Sequence, residues 1–596
     1  IKKNLGTKSL ITILSGKIKL NNKIYHPADT IDLDYISLYL NKLTLYDSLI
    51  ILLTKQNDKI IKASDLIFNV FENENINKAF VTPGDSNLHL LDSLGKRENF
   101  KYTVFQNEYL SSFASLGFSK FTNSPPILLI SSGTSSLKTI EAVSNAYIDS
   151  EPLIVISGQV TRDHIDGKKL RQLGSKTINL KKILENITKY YAVVKNIKEL
   201  NYHLEKGIYL SKKGRSGPVW IDLPIDILGK TVNENQIKYF DSSELNEVSN
   251  YKNINNKIEK IHAFLNESKR PLLLLGYGVR LSNSQKQILD LVKKLKIPVM
   301  TSRRGVDLIN SEDKYYFGRP GVYGNRYSNI ILQKADLLIS IGSRLSVPLI
   351  GRKKYDFAKN AKKIVIDIDK NELLKKTIKP DLSINASCDI IINYLLKNNL
   401  KIKSYQNWIK ICKKIKKEIS FIQENYSDKT GINPYNFIKY LSKTIPTKSI
   451  IFMDGGPIMN YLMQGFEVKL NQRIITNSGL DSEGFALPAS LGIDQVYPFK
   501  NVIVICDELS IYSILENIEK IEKTNFNFKI FIMQGAKNIA LQNSQKDFFG
   551  SRYVATKTND DKKDLLENLK INSTKLKIKK INSPKSYKKQ ILNIFK

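Results

Sequence analysis

The residues of this chain with the most chemical potential are carboxylates placed beside the ends of apolar segments. Glu108 follows the segment TVFQ, which reads as a buried strand, and opens a predicted helix. In a largely dry pocket the neutral form of a carboxyl is favoured, so such a group can exchange a proton with a weak base. The alternative is an acid set at a helix N-terminus by the helix dipole. Asp85 lies in the turn Pro83-Gly84-Asp85 after another strand; Asp before Ser is also plain turn chemistry, and both readings stand. Cys506-Asp507-Glu508-Leu509 closes the apolar run NVIVI. Asp507 and the amide oxygen of Gln534 are hard oxygen donors of the kind a hard metal ion takes. The other reading of Cys506–Leu509 is an acidic strand-to-helix turn that binds nothing. Gly276 and Gly278 follow the strand PLLLL, and Asp367 and Asp369 end another strand. That pattern has the look of a nucleotide fold, with glycines admitting a close backbone and an acid accepting ribose hydroxyls, although the spacing is not GxGxxG.

Other chemistries find less to work with. His26, His89 and His164 each stand alone, and Cys388, Cys412 and Cys506 form no CxxC or metal-ligand spacing, so buried thiols are expected rather than a zinc site or disulfides. The formal charge is +35, from 92 Lys and Arg against 57 Asp and Glu. The excess is mostly Lys scattered among Asn and Ile, and even the run KLKIKK at 575–580 alternates as an exposed strand would. A solvated surface is therefore expected, with no nucleic-acid partner. No stretch of about 20 apolar residues appears, so a soluble, cytoplasmic protein without a membrane partner is expected. The chain begins at Ile1 rather than Met, which leaves a preceding segment open.

Residues 8–55 read as short strands, LITILSG, KIKLNNKIYHPADTIDL and SLYLNKLTLYDSLIILLTK, with Gly16, a hairpin at Asn21-Asn22 and the turn Pro27-Ala28-Asp29 as punctuation. They resemble part of a cupin barrel, and residues 1–60 are expected to be this cupin-like β segment. From Ala63 helices alternate with short, largely apolar strands such as PPILLI, PLIVIS, PLLLL, ADLLISI and SIIFM. That alternation predicts parallel sheets covered on both faces.

The ordered segments VTPGDSNLHLLDSL, FQNEYLSSFASLGFSK, SSGTSSLKTIEAVSNAYIDSEPLIVISGQV, LRQLGSKTINL, GRSGPVWIDLPIDI, YFGRPGVYGNRYSN, ADLLISIGSRL and NSGLDSEGFALPASLG resemble the thiamine-diphosphate-dependent superfamily of acetolactate synthase and pyruvate decarboxylase, with acetolactate synthase the nearer type. The resemblance runs from about Ala63 to the C-terminus. It implies an α/β chain of three doubly wound parallel-sheet domains behind the β segment: pyrimidine-binding at 63–230, central at 255–400 and diphosphate-binding at 425–596. It also implies thiamine diphosphate and Mg2+ as cofactors. Glu108 would hold a ring nitrogen of the aminopyrimidine, Asp85 would be an active-site acid, and Pro83 and Gly84 would lie against the cofactor. Asp507 and Gln534 would ligate the metal, with Cys506, Glu508 and Leu509 flanking it. For flavin, Arg344 matches a contacting arginine while Pro348 replaces a second; with Gly276, Gly278 and Asp367 these leave FAD open. Active sites shared between subunits imply a homodimer or homotetramer.

The third domain departs from the family pattern. Cys506-Asp507-Glu508 stands for GDG in the register that also places Glu516 on a helix acid, and Gln534-Gly535 stands for an asparagine pair; a shift of one residue would make Glu508 the ligand. An inward Glu508 at about 5 Å from a diphosphate charge would cost about 3 kcal/mol at an effective dielectric near 20. Glu483, in DSEGF, replaces a large apolar residue under the bent cofactor, and the segment after GSRYVATK is short. The expected function is decarboxylation of a 2-keto acid and ligation to a second keto acid or keto sugar. The alternative is a pseudoenzyme of the same fold, serving as an assembly or regulatory subunit.

Overall fold

The computed structural model describes residues 9–20, 23–25, 30–32, 43–55, 60–165, 170–245, 254–398, 401–419, 432–493, 501–507, 527–533, 536–556 and 586–595. They fall into two compact units, Ile1–Ser119 with Ser124–Asn246, and Lys120–Asn123 with Glu247–Lys596.

The first unit opens with four antiparallel strands: β1 (Ser9–Leu20), β2 (Lys23–Tyr25), β3 (Thr30–Asp32) and β4 (Leu43–Lys55). Leu20 pairs with Lys23, the register a two-residue connection requires. Gly16 was expected to punctuate two strands. It lies instead inside the continuous β1, where the register against β4 shifts between Ser15 and Lys17; a glycine within a strand commonly marks such an irregularity. Asn21, Asn22 and the Pro27–Asp29 turn with His26 lie outside the described residues, as does the 575–580 run.

Helix α1 (Ala63–Asn73) leads into six parallel strands: β6 (Lys78–Val81), β7 (Lys101–Val104), β8 (Ile127–Ile130), β9 (Leu153–Gln159), β10 (Tyr190–Val193) and β11 (Pro218–Pro224). Between α1 and β4, β5 (Ile60–Lys62) pairs with β12 (Thr231–Asn233), which follows the sheet. The sheet order is β10-β11-β9-β8-β6-β7. All seven residues of β9 and of β11 are buried, as the apolar runs PLIVIS and GPVWIDLP require of strands covered on both faces. The strand before Glu108 differs from expectation. β7 is an edge strand whose Tyr102 and Val104 are exposed, and burial begins only at Phe105; an apolar tetrapeptide cannot signal whether its strand has one neighbour or two.

The second unit holds two more parallel sheets. The first has β13 (Pro271–Leu275), β14 (Val299–Thr301), β15 (Leu337–Ile341), β16 (Lys362–Asp367) and β17 (Leu382–Asn385), in the order β14-β13-β15-β16-β17. The other has β18 (Ile450–Met453), β19 (Arg473–Thr476), β20 (Asn501–Asp507) and β21 (Asn527–Met533), in the order β19-β18-β20-β21. Around them the helices follow their sequence signals. Helix α4 (Gln285–Leu295) buries Ile288, Leu291, Val292 and Leu295 on one stripe. Helix α5 (Pro434–Thr444) starts with Pro at its first position after Asn433, whose side chain accepts from the Tyr435 and Asn436 amides. A buried ion cluster joins the two sheets of this unit. Asp307, fully buried after β14, accepts from Arg280 Nη2 at 2.9 Å, Arg473 Nη1 at 2.8 Å and the Ile474 amide at 2.9 Å.

In each of the three parallel sheets the second strand in sequence lies on one side of the first and the third strand on the other. The carboxyl ends flanking such a reversal form the crevice where open α/β sheets bind ligands. Glu108 and Asp85 follow β7 and β6, Gly276 and Gly278 follow β13, and Asp507 ends β20. Among the described residues no helix is long and apolar enough to cross a membrane.

Candidate active site

The turn after β6 is built by its own side chains. The Gly84 amide donates to Asn87 Oδ1 at 3.0 Å, Asn87 Nδ2 donates to the Thr82 carbonyl at 3.0 Å, and the Ser86 amide donates to Asp85 Oδ1 at 3.0 Å. Gly84, after Pro83, has to be glycine: a Cβ there would sit 2.5 Å from Ser131 Cβ. Asp85 itself faces outward, 66% exposed, with Lys176 Nζ 2.5 Å from Oδ2 and Ser131 Oγ 3.4 Å from Oδ1. The hydrogen bond from Lys176 holds this carboxyl below its usual 3.8 against a smaller opposing effect of burial. Replacing Lys176 by Met should therefore raise the Asp85 titration toward 3.8, read from its carboxyl carbon by NMR; an unmoved titration would show that the pair does not persist in solution.

Glu108 is the first residue of helix α2 (Glu108–Thr122). Asn107 Oδ1 accepts the Tyr109 amide at 2.8 Å, which satisfies one orphan donor of the first turn. Ser111, one turn on, shares a 2.7 Å hydrogen bond with Thr82, tying the start of α2 to the end of β6. The Glu108 side chain is only 12% exposed. Its Oε1 accepts from Ser135 Oγ at 2.5 Å, and Lys138 Nζ stands 3.6 Å from Oε2. Ser135 and Lys138 both belong to helix α3 (Thr134–Asp149), entered through Gly133 at φ +71. The space a side chain at Gly133 would need is already taken, 3.1 Å away, by Lys176. Ser131 in the β8–α3 turn and Ser135 at the start of α3 thus each meet one of the two candidate acids.

Sequence reasoning missed Ser135, Lys138 and Lys176. Ser135 lies in SSGTSS and Lys176 in LRQLGSK, both of which stand out in the chain, but nothing local marks which serine or lysine meets a carboxylate 27 or 91 positions away.

In the second unit the glycine turn has another occupant. A Cβ on Gly276 would meet the Gly342 carbonyl oxygen at 2.0 Å, and one on Gly278 would meet Gly342 Cα at 2.8 Å. These glycines let the turns after β13 and β15 lie against each other, so their presence is accounted for by backbone packing. Asp367 Oδ1 accepts the Asp369 amide at 3.0 Å, and Asp369 caps the following turn through the Asn371 amide at 2.9 Å. The Arg344 carbonyl accepts from Lys375.

Three acids lie at or after the carboxyl ends of strands in the last sheet. Asp507 ends β20 and is buried; Asp454, fully buried after β18, accepts the Ala486 amide at 2.6 Å. Cys506 between them is fully buried, and burial, then the two carboxylates, push its thiol well above its usual value. It is a neutral thiol. Glu483 is half-buried, and its Oε1 lies 3.4 Å from where a Cβ on Gly456 would stand, at the first residue of helix α6 (Gly456–Gly465). The loop carrying it is pinned by Asn477 Nδ2 to the Ser482 carbonyl at 2.8 Å and by Arg303 to Asp481 at 3.2 Å. Glu508, Leu509, Gln534 and Gly535 lie outside the described residues, and among the described residues no three His, Cys, Asp or Glu side chains are grouped to hold a metal.

Three family profiles match this chain in the order of its parallel sheets. They are the thiamine pyrophosphate enzyme N-terminal TPP binding domain at residues 61–182, the central domain at 258–395 and the C-terminal TPP binding domain at 454–593. The chain belongs to the thiamine pyrophosphate enzyme family, and it is acetolactate synthase-like. The acetolactate synthase large subunit of Cyanidium caldarium is 28% identical over 516 residues, 84% of this chain and 86% of that protein. The acetolactate synthase isozyme 1 large subunit of Escherichia coli K12 is 26% identical over 506 residues, 85% and 87% respectively. That of Lactococcus lactis is 28% identical over 447 residues, 75% and 76%.

The family's cofactor can be tested against these residues. The pyrimidine side fits: a carboxylate only 12% exposed stands at the start of α2, and its serine partner lies on the helix after β8, beside the switch point between β6 and β8. Of the two expected metal donors, Asp507 is among the described residues and Gln534 is not. Glu483, where an apolar wedge was expected, brings a carboxylate beside the first residue of α6.

Proposed function

We propose that this protein is a thiamine-diphosphate-dependent, acetolactate synthase-like carboligase that decarboxylates a 2-keto acid and ligates the fragment to a second 2-keto acid or a keto sugar. The observation that carries the reading is Glu108, largely enclosed at the start of α2 and hydrogen-bonded at 2.5 Å by Ser135. Bound thiamine diphosphate supplies the electron sink that decarboxylation requires. Glu108 would hold a proton at a ring nitrogen of the aminopyrimidine, with Gly84 and Pro83 against that ring, and Asp507 would give one oxygen to magnesium. The reading includes a homodimer or homotetramer and does not depend on FAD. Incubation with thiamine diphosphate, magnesium and carbon-13 pyruvate should release labelled carbon dioxide and give a ligated acyloin product by NMR. Labelled pyruvate left unconsumed across a panel of 2-keto acids and acceptors would sink the proposal.

A pseudoenzyme is the second reading, and Glu483 is the observation that favours it. The Glu483→Met variant should bind thiamine diphosphate about tenfold more tightly in calorimetry, the effect of removing roughly 1.4 kcal/mol of charge and desolvation cost. Unchanged affinity would mean that the carboxylate does not face the cofactor.

A further inference from the structure

Beyond the residues assigned above, the first unit supplies Glu108 with a holder of its own. A carboxylate on a flexible side chain presents its oxygens over a wide arc, while proton exchange with a fixed ring nitrogen needs one oxygen at hydrogen-bond distance and in line. Ser135 restricts that arc. Its hydroxyl lies 2.5 Å from Oε1, its residue is 8% exposed, and its carbonyl accepts from Thr139 Oγ1 at 2.9 Å. The donor therefore sits on a packed first turn of a 16-residue helix rather than on a mobile loop. Lys138 is three residues further along α3, on the same face, with its ammonium 3.6 Å from the other oxygen. Glu108 Oε1 and Oε2 are thus met by two groups from one helix, Ser135 through a hydrogen bond and Lys138 through a longer ion-pair contact.

We propose that Ser135, assisted by Lys138, is the positioning residue of Glu108, holding the carboxylate in the orientation from which it exchanges a proton with the aminopyrimidine. The inference rests on the carboligase reading. Ser135 contributes most because it makes a short hydrogen bond to a charged group. Lys138 is 57% exposed and longer in reach, so it contributes less. The step involves only a proton shared between Glu108 and the ring nitrogen; Ser135 keeps its own.

The test uses the full-length protein and the variants Ser135→Ala, Ser135→Thr and Lys138→Met. Ser135→Ala should slow hydrogen–deuterium exchange at the thiazolium carbon by about tenfold to a hundredfold, the worth of one hydrogen bond to an ionised group. Its affinity for thiamine diphosphate and its melting temperature should stay close to wild type. Ser135→Thr, which keeps the hydroxyl, should exchange within about twofold of wild type, and Lys138→Met should lose only a few-fold. A second readout needs no cofactor. The carboxyl carbon-13 resonance of Glu108, assigned by its loss in Glu108→Gln, should move in Ser135→Ala and return in Ser135→Thr. Wild-type exchange rates in Ser135→Ala, or equal losses in the Ala and Thr variants, would overturn the positioning role. If wild-type protein fails to accelerate exchange at all, the carboligase reading falls. The carbon-13 shifts then still decide whether Ser135 holds Glu108.

Discussion

Replacing Glu108 by Gln is expected to slow proton exchange at the thiazolium carbon by roughly a hundredfold to ten-thousandfold, the usual worth of a general acid–base group. The amide is nearly the same size and can still meet Ser135 Oγ, so the packing of α2 against the turn after β6 should survive. The two side chains differ in that only the carboxyl can gain and lose the proton. Affinity for the cofactor should fall far less than the rate, since one hydrogen bond to the ring remains. Exchange can be followed by NMR in deuterated water with the cofactor saturating. An undiminished rate in the mutant would remove Glu108 from the mechanism, and with it the observation on which the functional reading stands.

The second large effect concerns stability. Asp307→Ala is expected to cost about 3–5 kcal/mol, because it leaves the guanidiniums of Arg280 and Arg473 buried together without their shared carboxylate. Burial alone would raise the Asp307 carboxyl, but the two guanidiniums and the Ile474 amide outweigh it and hold the group below its usual 3.8. Burial, then repulsion from Arg473, draws Arg280 below its ordinary value, while Arg473, despite its burial, is held above its own by Asp307 and Tyr277. Because the folded carboxyl titrates below the unfolded one, its stabilisation is fully present above an unfolded value of about 3.9 and is lost as pH falls through the folded value. Urea unfolding at neutral pH should show the lowered midpoint, and the gap between wild type and mutant should narrow in acid. A loss under about 1 kcal/mol, within the range of an exposed pair, would mean that water reaches the cluster.

The architecture was open to sequence reasoning where the physical signal is local. Predominantly apolar runs such as LIVISGQ and PLLLL are fully buried parallel strands, because a strand covered on both faces cannot alternate. Asn433-Pro434 announces a helix start by its own capping chemistry. Signals that depend on a distant partner were incomplete or silent. Gly276 and Gly278 have the composition of a nucleotide turn, yet what crowds them is Gly342, more than sixty residues on. Phe105 is buried while β7 before it is an edge, a distinction set by which strands pair and not by the residues of β7. The flanking segments single out Glu108, but Ser135 and Lys138, which meet its carboxylate, become visible only once α3 is placed beside α2. The Arg280, Asp307 and Arg473 cluster is spread over three distant segments and had no sequence signature.

Calorimetric titration of the wild-type protein with thiamine diphosphate in the presence of magnesium tests the central claim most directly. The account predicts saturable binding of one cofactor per chain, dependent on magnesium and in the micromolar range, tightening in Glu483→Met. No saturable heat up to millimolar cofactor, in the wild type and in Glu483→Met alike, would contradict it.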